Sequence, residues 1–365
     1  MTKRDKDRIM NGTLKELYIK ALIDRGNVLH RTGKSLQAVS DYDCAEKIAD
    51  KSGKRELVAE IKYLKGNAYE SMGMLDALKK NTDIAMKIFS ALKDEIGYST
   101  ALSNMAAYYG FNGNNAREIS MLNESVDILN RIYTDKKHQK KTKKRAGISL
   151  SSIYNNLGYS HRKMGNNSKA MEFYMKSLKV KKEIDDKAGE ANTLNNIGML
   201  YGREGDVDSA ISYFEQALKI LVYIGDKRIY ASVLNNIGYG FKLKRNENKS
   251  LECFLEALKV QKQIKDKNSE IYTLCNIGDY YNEKKRYKNA LMYFEEAIQI
   301  MHETGIKESL HILLTDAAKI YIKINQLQKA ASALSEAYKL SVKCRDSKCT
   351  AVILELKKQM KAKRV

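Results

Sequence analysis

The 365-residue chain carries 65 lysines and arginines against 44 aspartates and glutamates, a net charge of +21, and has no proline and no tryptophan. With 43% hydrophobic and 30% charged residues it has the make-up of a helix-rich globular protein rather than a disordered or membrane-embedded one. No apolar run approaches the roughly 18 residues of a membrane span, and the charged residues 1–12 lack the apolar core of a secretory signal.

Cysteine usage and charge narrow the partners. Cys44, Cys253, Cys275, Cys344 and Cys349 form no CxxC pair and no metal spacing, which reads as reduced thiols in a cytoplasmic protein. Cys344 and Cys349 are the minor candidate for a disulfide or metal site. No cofactor is expected. The positive charge has two readings: an acidic, nucleic-acid or anionic-membrane partner, or a lysine-rich surface. Lysine far outnumbers arginine, the residue that makes bidentate contacts to bases, and this favours the second reading.

In chain order, a basic tail (1–12) precedes a long periodic region. Gly26, Gly66 and Ala106 stand 40 residues apart. A step of 52 then leads to Gly158, so 12 residues are inserted. They are the almost wholly basic stretch 134–145, expected to be a solvated loop or an extra helical turn. The period resumes as Asn155-Asn156-Leu157-Gly158, Asn195-Asn196-Ile197-Gly198, Asn235-Asn236-Ile237-Gly238 and Cys275-Asn276-Ile277-Gly278, with Ala318 last. This makes eight repeats, each a unit unable to bury its apolar face alone.

One repeat can be read in full. Ala191, Leu194, Ile197, Gly198 and Tyr201 recur at helical spacing over 188–204. Gly205-Asp206 ends that helix. Asp208-Ser209 starts a second, whose apolar face is Ala210, Ile211, Phe214, Ala217, Leu218 and Leu221, and Gly225-Asp226 closes it. Without proline, glycine and asparagine are expected to do the punctuating. The small residues Ala170, Ala210, Ser250, Ala290 and Ala330 form one column. Tyr174, Phe214, Phe254 and Phe294 form an aromatic one. A mid-helix glycine costs about 1 kcal/mol against alanine, so its return in register predicts close helix approach. His161 occupies the column of Tyr201, Phe241 and Tyr281 and reads as packing. Residues 346–365 are expected to form a capping helix with Val352, Ile353 and Leu356 buried, and a basic tail.

A Leu-Gly step, an aromatic three residues on, then a small residue, an aromatic and an alanine: this pattern resembles the tetratricopeptide repeat. The usual unit is about 34 residues. The 40-residue unit is similar to the lengthened repeats of kinesin light chains, cell-polarity G-protein adaptors and bacterial peptide-pheromone receptors. The resemblance covers about 13–345 and lacks the proline that often ends the second helix. It implies an all-α fold, a right-handed superhelix (α-solenoid) of about eight helix pairs with a C-terminal capping helix. It also implies that the first helix of each pair lines a concave groove.

Asn104, Asn156, Asn196, Asn236 and Asn276 share one position of that helix, preceded by Asn155, Asn195 and Asn235. Asparagine is a poor helix former, so the column needs a reason. The resemblance implies that it clamps a peptide backbone. The alternative is a structural ladder of amides, and the two are compatible. One turn on lie Tyr159, Arg162, Lys163, Met199, Arg203, Tyr239, Lys242, Asp279 and Asn282, suited to an extended or helical peptide with some acidic character. No HExxH, GxxxxGK[ST] or GxSxG occurs. The expected function is therefore a non-catalytic scaffold holding a peptide or partner protein. A sensing module of a bacterial kinase, cyclase or transcription regulator is the first alternative. A nucleic-acid-associated protein using the basic insert and tail is the second.

Overall fold

The computed structural model describes residues 12–307 and 309–362. Among them are 17 helices and no strand. The chain divides into two compact units, one up to Gly205 and one from Asp206. The first holds α1 (Gly12–Arg31), α2 (Ser35–Lys51), α3 (Arg55–Ser71), α4 (Leu75–Ala91), α5 (Glu95–Phe111), α6 (Asn115–Thr134), α7 (Lys140–Lys163), α8 (Asn167–Glu183) and α9 (Lys187–Glu204). The second holds α10 (Val207–Ile224), α11 (Lys227–Leu243), α12 (Glu247–Ile264), α13 (Lys267–Glu283), α14 (Tyr287–Thr304), α15 (Leu310–Lys323), α16 (Leu327–Lys343) and α17 (Ser347–Ala362). Within each unit every helix packs on its chain neighbour, the quasi-one-dimensional pattern of a helical repeat array.

The punctuation is broader than expected. Gly205 (φ 86°) and Gly225 (φ 71°) end α9 and α10 in the left-handed conformation. Yet Lys93, Asp185, Arg245, Lys265, Lys285, Asn325 and Arg345 adopt the same φ at other turns. The left-handed form costs a side-chain-bearing residue roughly 1–2 kcal/mol. The packing of two helices on either side of each turn offsets that cost, so glycine is not required. The inter-repeat aspartates act as N-caps: Asp186 accepts from the Gly189 N–H at 2.9 Å, Asp206 from Ser209 at 3.0 Å and Asp266 from Ser269 at 3.3 Å. α10 thus starts at Val207, just before the expected Asp208-Ser209.

The mid-helix glycines have a steric reason. A Cβ at Gly158 would stand 2.5 Å from the Tyr174 ring, one at Gly238 2.7 Å from Phe254, and one at Gly278 2.3 Å from Phe294. Gly26 meets Tyr42 in the same way, at 2.4 Å. Each of these four glycines faces the aromatic sixteen residues on, whereas Gly66, in the same column, meets the Asn104 amide at 2.6 Å and the Thr82 hydroxyl at 3.1 Å. Where the small residue is alanine, that partner is leucine. Ala106 and Leu122 share one buried cluster, and Ala318 and Leu334 another. His161 is buried and stacks on Phe173, rings parallel within 3° and 5.4 Å apart.

The basic insert is part loop and part helix. Lys140–Arg145 extend α7, which has 24 residues where most helices have 17 or 18. Arg145 grips Asp94, the N-cap of α5, at 2.7 and 3.2 Å. At the other end, α17 buries Ile353 and Met360, with Leu356 half-buried between them. Val352 is 43% exposed, contrary to expectation, because the stripe advances by three and four from Ile353. Most of the N-terminal tail and residues 363–365 lie outside the described residues.

Candidate functional site

The asparagine columns make an amide ladder inside each unit. In the first, Asn196 Nδ2 donates to Asn155 Oδ1 at 2.9 Å. One rung further back, Asn104 Nδ2 donates to the Tyr63 carbonyl at 3.1 Å. In the second, Asn276 Nδ2 donates to Asn235 Oδ1 at 3.1 Å, and the buried Thr273 hydroxyl donates to the same oxygen at 3.2 Å. The asparagine amide reaches the residue 41 positions earlier in all three cases. The second asparagine of one repeat is therefore held by the first helix of the repeat before it. A helix interior tolerates asparagine when its amide is satisfied in this way.

Burial then divides the candidates. Asn104 and Asn195 are 3% and 6% exposed and belong to helix packing, because a partner cannot reach them. Asn155, Asn196, Asn235, Asn236 and Asn276 are half-buried, and Asn156 is exposed. On α7, Tyr159 is 53% exposed with the Arg162 guanidinium 5.2 Å from its ring centre. Lys163 donates to the Gly110 carbonyl at 3.3 Å. On α9, Met199 is half-buried and Arg203 exposed. In the second unit Tyr239 is exposed and Lys242 pairs with Glu283 at 2.9 Å. Burial raises the pKa of the Asp279 carboxyl, against the opposing pull of Lys242.

Asn156, Tyr159 and Lys163 also come together around a cavity of about 270 Å³ in the first unit. Its other walls include Glu70 at the end of α3, Ser103 and Gly110 on α5, Glu118 on α6 and Ser160 on α7. None of these five was singled out from the sequence. The signal was present: Glu118 lies 40 residues after Leu78 and 52 before Ala170, so it stands in a buried apolar column. Both of those counterparts are fully buried. Gly110 occupies the position of Glu70 and Arg162 in the flanking repeats. A Cβ there would meet Glu118 Oε2 at 2.6 Å, so the missing side chain makes room for the carboxylate.

Elsewhere the chemistry is sparse. The Cys253 thiol is pushed up to about 11 and Cys275 to about 12, each chiefly by burial, so neither is a nucleophile at neutral pH. All five cysteines are free. Among the described residues His311, Asp346 and Cys349 hold ligand atoms within 4.8 Å of one another. His311 Nε2 is hydrogen-bonded to Asp346 at 3.1 Å, and Asp346 caps α17 by accepting from Cys349 N at 2.9 Å. Among the described residues no helix is long and apolar enough to cross a membrane.

The profile of the tetratricopeptide repeat matches residues 149–221 and 229–303. Several solved structures share the fold. A STAND signal-transduction ATPase with a tetratricopeptide repeat sensor, from Pyrococcus horikoshii, is 19% identical with a TM-score of 0.59. The match covers 96% of this chain and 56% of that one, so this chain spans little more than half of that protein. Aspartyl phosphate phosphatase F from Bacillus subtilis is 14% identical with a TM-score of 0.55, over 92% of this chain and 86% of its own. A Rap protein complexed with Competence and Sporulation Factor is 11% identical with a TM-score of 0.53, over 95% and 99%. At these identities the likeness is one of fold. No curated protein matches the sequence.

Proposed function

Because this chain is a tetratricopeptide repeat protein, we propose that it is a non-catalytic scaffold that holds a segment of a partner chain on the first helices of its repeats. The observation that carries this reading is the α7 surface. Asn156, Tyr159 and Lys163 present an amide, an aromatic face and a cation side by side over a cavity, while the ladder beneath fixes the neighbouring asparagines. A carboxamide offers both a donor and an acceptor, and an aromatic ring adds contact area at low entropic cost. The Rap protein's complex with Competence and Sporulation Factor supports the same use of a related fold. A second reading, a sensor module within a larger signalling protein, is favoured by the likeness to the STAND sensor.

The test is affinity capture with mass spectrometry from source lysate, with the wild type beside an Asn156→Ala, Tyr159→Ala variant. Both positions are solvent-facing, so the variant is expected to keep its helix content and melting point. A partner captured by the wild type and lost by the variant supports the proposal. A partner held equally by both overturns this site and moves the contact to another face.

A further inference from the structure

We infer that the cavity between α5, α6 and α7 is a pocket for one cationic side chain, an arginine or lysine, carried by the partner segment. This rests on the scaffold reading above and names what the site recognises. The sequence pointed to an acidic partner, and for this pocket the chemistry runs the other way.

The argument starts from Glu118. It is 9% exposed and stands in a column that the neighbouring repeats fill with Leu78 and Ala170. A buried carboxylate is retained only where something balances its lost hydration. One oxygen, Oε1, accepts from the Ser160 hydroxyl. The other, Oε2, stands over Gly110, where the missing Cβ leaves it room, and makes no hydrogen bond or ion pair with the described residues. No lysine or arginine among those residues pairs with Glu118 or with Glu70, the second carboxyl on the wall. Glu70 is half-buried, and burial alone raises its pKa. Lys163, the one cation on the rim, donates to the Gly110 carbonyl and forms an ion pair with neither carboxyl. His161, next to Ser160, is held toward its neutral form by burial. Two carboxyls and a single ammonium thus line one cavity, and this acidic excess, in a chain of net charge +21, suits a further cation.

Size and lining choose the form. About 270 Å³ is below the usual range for a small-molecule site and suits a single long side chain. Beyond the carboxylates the wall offers acceptors in Ser103, Ser160 and the Asn156 amide, which a guanidinium with five donors can satisfy. The apolar stem of an arginine or lysine would lie along Ala106, Ala107 and Leu122.

The experiment is an NMR titration of the full chain with N-acetyl-arginine amide, its uncharged isostere N-acetyl-citrulline amide, and spermidine. The arginine amide should shift the Gly110 and Ser160 amide signals saturably. Citrulline should bind at least about ten-fold more weakly, the loss expected for a charged hydrogen bond. Glu118→Gln should lose arginine binding by a similar factor. It should melt no lower than the wild type, since it removes a buried charge, and Glu118→Ala, the residue of the aligned column, should melt higher. Equal binding of arginine and citrulline, no saturable shift, or full arginine binding by Glu118→Gln would each overturn the pocket. Tighter binding of spermidine than of arginine amide would overturn a partner side chain as the source, in favour of a free polyamine. A captured partner lost with Asn156→Ala, Tyr159→Ala but kept with Glu118→Gln would defeat the cation pocket and leave the scaffold reading standing.

Discussion

The pairing of glycine with an aromatic ring makes a prediction whose sign reverses with context. A Cβ added at Gly278 would lie 2.3 and 2.4 Å from two carbons of the Phe294 ring, where carbons prefer about 3.5–4 Å. Phe294 is 1% exposed and has no open space to swing into. Overpacking of this kind costs about 1–3 kcal/mol, while alanine gains about 1 kcal/mol over glycine in a helix interior. Gly278→Ala alone should therefore destabilise by up to about 2 kcal/mol. Phe294→Leu alone leaves a cavity and should cost more than the roughly 1.5 kcal/mol of a volume-conserving swap, but less than the roughly 3–5 kcal/mol of Phe→Ala. In the leucine background the clash is gone, and Gly278→Ala should become neutral or stabilising by up to about 1 kcal/mol. The chain already contains that combination as Ala318 with Leu334. Urea denaturation of the four proteins, compared at constant slope, gives the coupling, expected at about 2 kcal/mol within the usual range for touching residues. If Gly278→Ala costs the same in both backgrounds, size matching is not why glycine recurs.

Two further outcomes follow from particular side chains. Lys181 is 4% exposed, donates to Thr193 at 2.8 Å, and is pushed down from 10.5 to about 8, first by burial. A base with a depressed folded-state pKa destabilises the fold fully below about pH 8, and the penalty fades as pH rises toward 10.5, where the unfolded lysine still holds its proton. At about 1.4 kcal/mol per pH unit that penalty is about 3 kcal/mol, so Lys181→Met should be more stable at pH 7 by up to that amount. The advantage should close between pH 8 and 10.5, and equal denaturation midpoints at pH 7 would refute it. In the basic insert, Lys140, Lys141 and Lys144 are exposed, so changing all three to alanine should leave the melting point nearly unchanged. Arg145→Ala breaks the grip on Asp94, a pair with side chains 57% and 24% exposed, and should cost no more than about 1 kcal/mol.

The repeat was legible because packing enforces it. Gly158, Gly238 and Gly278 stand in register for one steric reason, the ring sixteen residues on, and a recurring cause writes a recurring letter. The caps at Asp186, Asp206, Asp226 and Asp266 recur for the same reason, each satisfying free N–H groups at a helix start, although at Asp206 the sequence places that start two residues on, at Asp208-Ser209. The turns were only half legible. Lys265 and Lys285 take a left-handed φ that no local pattern announces, since helix packing on both sides imposes it. The burial of Asn104 and Asn195 was illegible in a column whose other members are half-buried or exposed, because one period cannot tell a rung inside the stack from one at its surface.

What the period hides is carried by residues that break it, and a break alone does not make a site. Lys181 and Glu118 both put a charge where the aligned repeats bury uncharged residues. Lys181 stands level with Leu221 and Met301, but its ammonium is enclosed with the Thr193 hydroxyl as partner. Its cost is carried by the fold, and removing the charge should simply stabilise. Glu118 differs by what surrounds it. Gly110 withdraws a side chain where the flanking repeats carry Glu70 and Arg162, and the space so made opens beside Asn156, Tyr159 and Lys163. A buried charge, a compensating glycine and an adjoining polar face were all present in the sequence, scattered over 94 positions from Glu70 to Lys163. Only the stacking of α3, α5, α6 and α7 brings them to one place, which is why the columns could be read in advance and the pocket could not.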